Sequence, residues 1–247
     1  MDADRHRPTA QHAHHHLPDM TSDERWLAAA WPFVGAQLPR SPATVIEIGC
    51  GPLGGFVPML RAAGYDAVGV DPEAPEDDGF ERVEFESYIA PAPVDAVVAS
   101  LSLHHVADVD DVLGRVAALL KPAGTVVVLE WAWELFDQAT AAWCFDRLAP
   151  PDSEPGWLHR RREHWIDSGE AWDAYLRNWA VEDGIHAGET VLGRLDATFR
   201  RTVLERGPYF FPDLDGITEA DEQAAIDAGL IQATRLRFVG RTVAPKA

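Results

Sequence analysis

Apolar positions along the chain recur with two different periods. Val45, Ile46 and Ile48 form a short β-branched run, and Val94 to Ser100 (VDAVVAS) and Thr125 to Leu129 (TVVVL) are longer ones. Continuous apolar runs of this length predict strands of a parallel sheet buried on both faces. Between the last two runs the period becomes helical: Val109, Val112, Leu113, Val116, Leu119 and Leu120, opened by Asp108 and stopped by Lys121, Pro122 and Gly124. Trp26, Leu27, Ala30, Trp31, Val34 and Leu38 give an earlier helix, with Ser22 as its expected cap and Pro32 expected to kink it or end its first segment. Pro39 and Pro42 separate that helix from the first strand. Val68 to Val70 predict a second strand and Arg82 to Phe85 a short third one, with a surface loop from Glu73 to Gly79 before it. The alternation over residues 44–133 predicts a doubly wound α/β sheet.

Beyond Glu130 the pattern shifts to long amphipathic segments crowded with tryptophan: Trp131, Trp133, Trp143, Trp157, Trp165, Trp172 and Trp179. Residues 134–206 read as mostly helical, broken by Pro150, Pro151 and Pro155 and bent near Gly184 and Gly188. GPYFFPDLDG reads as a turn-rich connection or edge strand, residues 218–229 as a helix capped by Thr218, and Leu236, Phe238 and Val239 as a last strand. No internal repeat is visible.

The chemistry gathers at the first turn. Gly49, Gly51 and Gly54 make a G-x-G-x-x-G pattern with an additional Gly55, and Pro52 suits the first turn of the helix expected next. Asp71 ends the second strand 71 − 51 = 20 residues after Gly51, the spacing at which an acid meets a ribose hydroxyl in nucleotide-binding βαβ units. The glycine pattern alone also serves NAD and FAD enzymes, so an NAD(P)- or FAD-dependent oxidoreductase is one alternative.

Composition narrows the setting. A chain of 247 residues that is 47% hydrophobic can bury a sizeable core. No run reaches membrane-spanning length and the first residues lack the apolar centre of a signal peptide, so a cytoplasmic protein is expected. Cys50 and Cys144 offer neither a disulfide framework nor a zinc spacing. The clustered His12, His14, His15 and His16 fall in a polar tail, residues 1–20, expected to be disordered, and their spacing names no metal site. A net charge of −19 repels phosphate backbones and anionic lipid, so neither nucleic acid nor membrane is an expected partner.

Four motifs in order carry a resemblance over about 44–133. VIEIGCGPLGGF, with Glu47 two residues before Gly49, and GYDAVGVDP are similar to motif I and the acidic strand end of class I S-adenosylmethionine-dependent methyltransferases. ASLSLHHVADVDDVL resembles the segment after the fourth strand in their small-molecule, type-11-like branch. LLKPAGTVVVLEW resembles the family's L-K-P-G-G helix end and fifth strand, with Ala123 replacing a glycine. The resemblance implies S-adenosyl-L-methionine as cofactor and a Rossmann-like core, 41–133 with 207–247. The helical pattern outside the resemblance is expected to form a cap insertion at 134–206 and an N-terminal cap helix at 21–40. The resemblance implies a cofactor set of Glu47, Gly49, Cys50, Gly51, Gly54, Asp71, Pro72, Glu86, Ser87, Ser100 and Leu101. There the glycines approach the methionine moiety, Glu47 steers the turn, Asp71 holds the ribose and Glu86 with Ser87 reads the adenine edge. No metal is implied.

Methyl transfer is a displacement at carbon, so alignment supplies most of the catalysis. For a hydroxyl or ammonium acceptor a base helps, and His104 or His105 is placed to serve; the reading preferred on position alone is that both shape the loop and the helix start. Trp143, Trp172 and Trp179 read as core. Trp26 and Trp31 from the first helix, with Trp131 and Trp133 from the fifth strand's end, read as an aromatic wall binding the acceptor. The basic run Arg160, Arg161 and Arg162 reads as a solvated face or the one cluster open to an anionic substrate. The expected activity is methylation of a small molecule by a monomer or homodimer; a non-catalytic regulator that holds the same cofactor is a further alternative.

Overall fold

The structure is a computed structural model and describes residues 20–150 and 155–242. Pro151 and the His-rich tail, except Met20, lie outside the described residues.

Seven strands form one sheet in the order β3-β2-β1-β4-β5-β7-β6: β1 (Thr44–Ile48), β2 (Asp66–Val70), β3 (Phe80–Glu81), β4 (Val94–Ser100), β5 (Leu120–Trp131), β6 (Phe199–Gly207) and β7 (Arg235–Thr242). β3 to β5 pair in parallel, while β7 runs antiparallel between β5 and β6. The two-residue period of a strand sends alternate side chains to opposite faces. On one face Ile46, Val97, Val126, Val128 and Phe238 pack with α3 (Val109–Leu119) and α7 (Gly188–Thr198). On the other face Val45, Val98, Val127, Leu129 and Val239 meet α1 (Ser22–Gln37) and α2 (Val57–Ala62). A third apolar cluster gathers α4 (Gln138–Phe145), α5 (Trp157–Ser168) and α6 (Trp172–Glu182) with Trp131, Phe210 and Leu214, around the fully buried Trp172. α8 (Glu219–Asp227) starts at Thr218, whose hydroxyl takes the Asp221 N–H while Asp221 returns to the Thr218 N–H.

The doubly wound sheet matches the expected class, with differences that have local causes. The cap of α1 is Thr21, not Ser22, because Thr21 and Glu24 form a reciprocal capping box. Pro32 neither ends nor splits α1, which runs on to Gln37. Pro52 lies in the glycine-rich turn; the proline in the first turn of α2 is Pro58. The third strand lies at Phe80–Glu81 rather than 82–85, and Phe85–Ser87 is a 3-10 turn. β5 starts at Leu120, five residues early, with a register break against β4. Its bend puts Ala123 at φ +62, where a side chain costs about 1–2 kcal/mol and glycine does not. The helical segment ends at Thr198 rather than 206: residues 199–207 are the outer strand of the sheet, and α7 packs on the core, not in the cap. GPYFFPDLDG holds a short 3-10 turn at Phe211–Asp213 and no sheet strand of its own beyond Gly207.

Candidate functional site

The strand order reverses between β1 and β4, and ligands of open α/β sheets bind outside the carboxyl ends of strands at such a point. There a cleft of about 670 Å³ opens, bounded by the ends of β1, β2 and β4, the start of α1 and the segment Tyr209–Asp213.

Its floor is the glycine-rich turn. Gly49, Gly51, Gly54 and Gly55 all have positive φ, between +54 and +80. A Cβ on Gly49 would lie 2.3 Å from the Ser102 Cβ, so the β4 loop can close over the turn only because the side chain is absent. Gly51 is different: a Cβ there would meet nothing within 4 Å, so its backbone faces open space in the cleft. Its N–H donates to Asp71 Oδ2 at 3.0 Å, and Asp71 Oδ1 accepts the Glu73 N–H at 2.7 Å. Two backbone donors therefore fix the carboxylate and leave a lone pair on each oxygen.

Glu47 lies fully buried beneath this turn. Its Oε2 accepts the Phe56 N–H at 2.7 Å, and among the described residues its Oε1 has no hydrogen-bond partner. Burial outweighs the backbone hydrogen bonds and pushes its pKa up to about 8, Asp71 adding a smaller push in the same direction. A Cβ on Gly55 would come 2.4 Å from Glu47 Oε1. Burial likewise raises Cys50 to about 12, leaving it a neutral small group of the turn.

The other walls collect Pro72, Glu86, Ser100, Leu101, Trp26 and His105 from among the expected site residues. Leu101 is held at φ +51, a conformation a leucine rarely takes, while its N–H pairs with Leu129 O at 2.8 Å. The cleft does not bring in seven others. Glu47 and Gly54 sit behind the turn, Gly54 against the Phe80 ring. Ser87 bonds its N–H back to Glu84 O within the 3-10 turn. Trp31 stacks on Phe56 with centroids 6.4 Å apart. Trp133 donates its indole N–H to His186 O at 3.1 Å. Trp131 is buried among Phe136, Trp157 and Trp179, because Tyr209 stacks on it at 5.7 Å and takes the place facing the cleft. The aromatic residues that line the cleft are thus Trp26, Phe85 and Tyr209.

His104, the seventh, is buried, with Nδ1 2.5 Å from Glu130 Oε2. Burial opposes its charge, but the charge and the hydrogen bond of Glu130 together outweigh burial and hold its pKa above the ordinary histidine value. His105 is its opposite. Its ring centroid lies 4.1 Å from that of His104, it lines the cleft, and burial followed by the charge of His104 pushes its pKa down.

Three residues important to this arrangement are not picked out by the motifs. Glu130, an acid closing the apolar run of β5, was a visible signal for a buried partner. Tyr209 and Asp213 arrive from a connection with no periodicity. Asp213, raised chiefly by burial and then by nearby Asp23, shares the cleft wall with Ser22 and Asp23. Among the described residues no three His, Cys, Asp or Glu side chains are grouped to hold a metal ion, and no helix is long and apolar enough to cross a membrane.

Comparison with known proteins adds an independent line. The family model described as "Methyltransferase domain" matches residues 13–186. The fold is similar to that of an S-adenosylmethionine-dependent methyltransferase from Mesorhizobium loti, at 22% identity, 86% of this chain, 97% of the other and a TM-score of 0.52. It is also similar to that of the N-methyltransferase NodS from Bradyrhizobium japonicum WM9, solved with S-adenosyl-L-homocysteine, at 15% identity, 92% and 90% coverage and a TM-score of 0.50. A search of curated proteins finds no match. At these identities the solved structures speak for the fold alone.

Proposed function

Given that the chain belongs to the methyltransferase-domain family, we propose that it transfers a methyl group from S-adenosyl-L-methionine to a small-molecule acceptor by direct displacement. The observation that carries this reading is the pairing of Asp71 with the Gly51 N–H beside an unobstructed stretch of turn backbone. Asp71 is fixed where it can accept two ribose hydroxyls, and Gly51 lets main chain approach the amino-acid end of the cofactor. Glu86 is the cleft residue suited to the adenine edge, and Ser100 and Leu101 flank the path toward the acceptor. Asp23, Asp71, Glu73, Glu84, Glu86 and Asp213 make the lining acidic, which favours a cation.

When bound, the cofactor supplies a methyl group activated on cationic sulfur. The chain's own task is to align an acceptor with it and exclude water. Trp26 and Tyr209 are placed to hold the acceptor's apolar face. His105, kept neutral by its lowered pKa, takes a proton from a hydroxyl or ammonium acceptor, whereas His104 is committed to Glu130 and positions its neighbour. A net charge of −19 supports an acceptor other than nucleic acid or an anionic membrane. A methyl-release assay across hydroxyl, amine and thiol acceptors tests the reading. Turnover that collapses in His105→Ala, with cofactor affinity kept, is expected; cofactor binding without turnover on any acceptor would favour the regulator, and NAD binding the oxidoreductase.

A further inference from the structure

A second pocket of about 390 Å³ opens between α5 and α6. Two of the buried polar side-chain atoms left without a hydrogen-bond partner among the described residues belong to residues that line it: Arg161 Nε and the Tyr175 hydroxyl. Tyr175 is only 8% exposed. Arg161 is held in place by rings, its guanidinium 5.1 Å from the centroid of Trp179 and 5.9 Å from that of Trp157. Among the described residues it makes no ion pair, and its one side-chain contact of hydrogen-bond kind is with His164 Nδ1 at 3.4 Å. A positioned guanidinium with an unpartnered Nε and a hydroxyl without a partner among the described residues form an arrangement suited to a carboxylate. Glu170, Glu182 and Asp183 are exposed at the rim, Glu170 accepting from Asn178 at 3.1 Å. They would repel a bare anion at the rim and accept from a hydroxyl there. Trp179 supplies a flat apolar side.

We propose that this pocket binds a hydroxylated aromatic carboxylate, with Arg161 and Tyr175 donating to the carboxylate, Trp179 against the ring and the hydroxyl toward Asp183. The rings of Tyr209, Trp131 and Trp179 are packed between the cleft and the pocket. The pocket is therefore a binding site separate from the cleft proposed for methyl transfer.

The test is ligand-observed NMR titration without cofactor, using para-hydroxybenzoate and, as the partner lacking only the carboxylate, para-hydroxybenzyl alcohol. Wild-type protein is expected to bind the acid and not the alcohol. Tyr175→Phe deletes a hydroxyl that has no partner, so thermal stability should hold while the acid binds about tenfold weaker. Arg161→Gln should abolish binding. Absence of acid binding to wild type, equal binding of the alcohol, or an unchanged affinity in Tyr175→Phe would overturn the proposal. Because no cofactor is present, failure of the methyl-release assay leaves this result readable, and the reverse holds as well.

Discussion

Glu130 Oε2 lies 2.5 Å from His104 Nδ1 in a site closed to water, and Glu130 Oε1 accepts the Leu103 N–H at 2.7 Å. One carboxylate at the end of β5 thus ties down both the backbone and a side chain of the loop after β4, the loop that carries His105 to the cleft. Removing it leaves a buried imidazole and a buried N–H without their partner. Glu130→Ala is expected to cost about 3–5 kcal/mol in urea unfolding. The pH dependence has a definite sign. A histidine whose folded pKa is raised contributes stability that is complete below its unfolded value and lost as pH rises through the folded one. The contribution of the His104–Glu130 pair should therefore fall from about pH 6.5 upward, and Glu130→Gln should flatten that part of the fall.

Gly51 and Gly55 share a left-handed backbone but not a neighbourhood. Gly55→Ala forces a Cβ against the buried Glu47 carboxyl, so a loss of about 2–3 kcal/mol in thermal or urea unfolding is expected. Gly51→Ala meets no atom of the protein, so about 1 kcal/mol of backbone strain is the expected structural cost. Its larger effect should be on cofactor binding, measured by calorimetry, because the new methyl group occupies the space into which a ligand packs. Equal loss of stability in both variants would contradict this division.

Glu47 supplies a second pH signature. Its carboxyl ionises near 4.5 when unfolded and near 8 when folded. Between those values the unfolded chain holds fewer protons, so folding stability declines with rising pH by about 1.4 kcal/mol per unit and levels off above the folded value. Glu47→Gln keeps an oxygen acceptor for the Phe56 N–H without a charge to bury. Its advantage over wild type should grow across that window in unfolding free energies measured at successive pH values; a constant difference would show that Glu47 does not titrate as its burial implies.

The sheet was legible because its strands are buried on both faces, so VIEI, VDAVVAS and TVVVL stand out as apolar runs whatever covers them. The glycine turn and Asp71 were legible because their spacing is a local property of one βαβ unit. Outer strand β6 was not: FRRTVLERG is half solvated and carries arginines, so no apolar run marks it. The acceptor side failed for a different reason. Whether Trp131 or Tyr209 faces the cleft depends on which ring lies outermost in a stack between segments 78 residues apart, as the difference of their numbers, 209 − 131, shows. No periodicity encodes that choice. The burial of His104 similarly depends on Glu130, on a neighbouring strand, and not on the residues around it in the chain.

The central claim is that the Gly51–Asp71 corner receives S-adenosyl-L-methionine, and isothermal titration with that molecule and with NAD tests it most directly. The expected result is binding of S-adenosyl-L-methionine alone, weakened about tenfold to a hundredfold in Asp71→Ala through the loss of charge-assisted hydrogen bonds to the ribose. Binding of NAD in its place, or an affinity for S-adenosyl-L-methionine unchanged by Asp71→Ala, would contradict it.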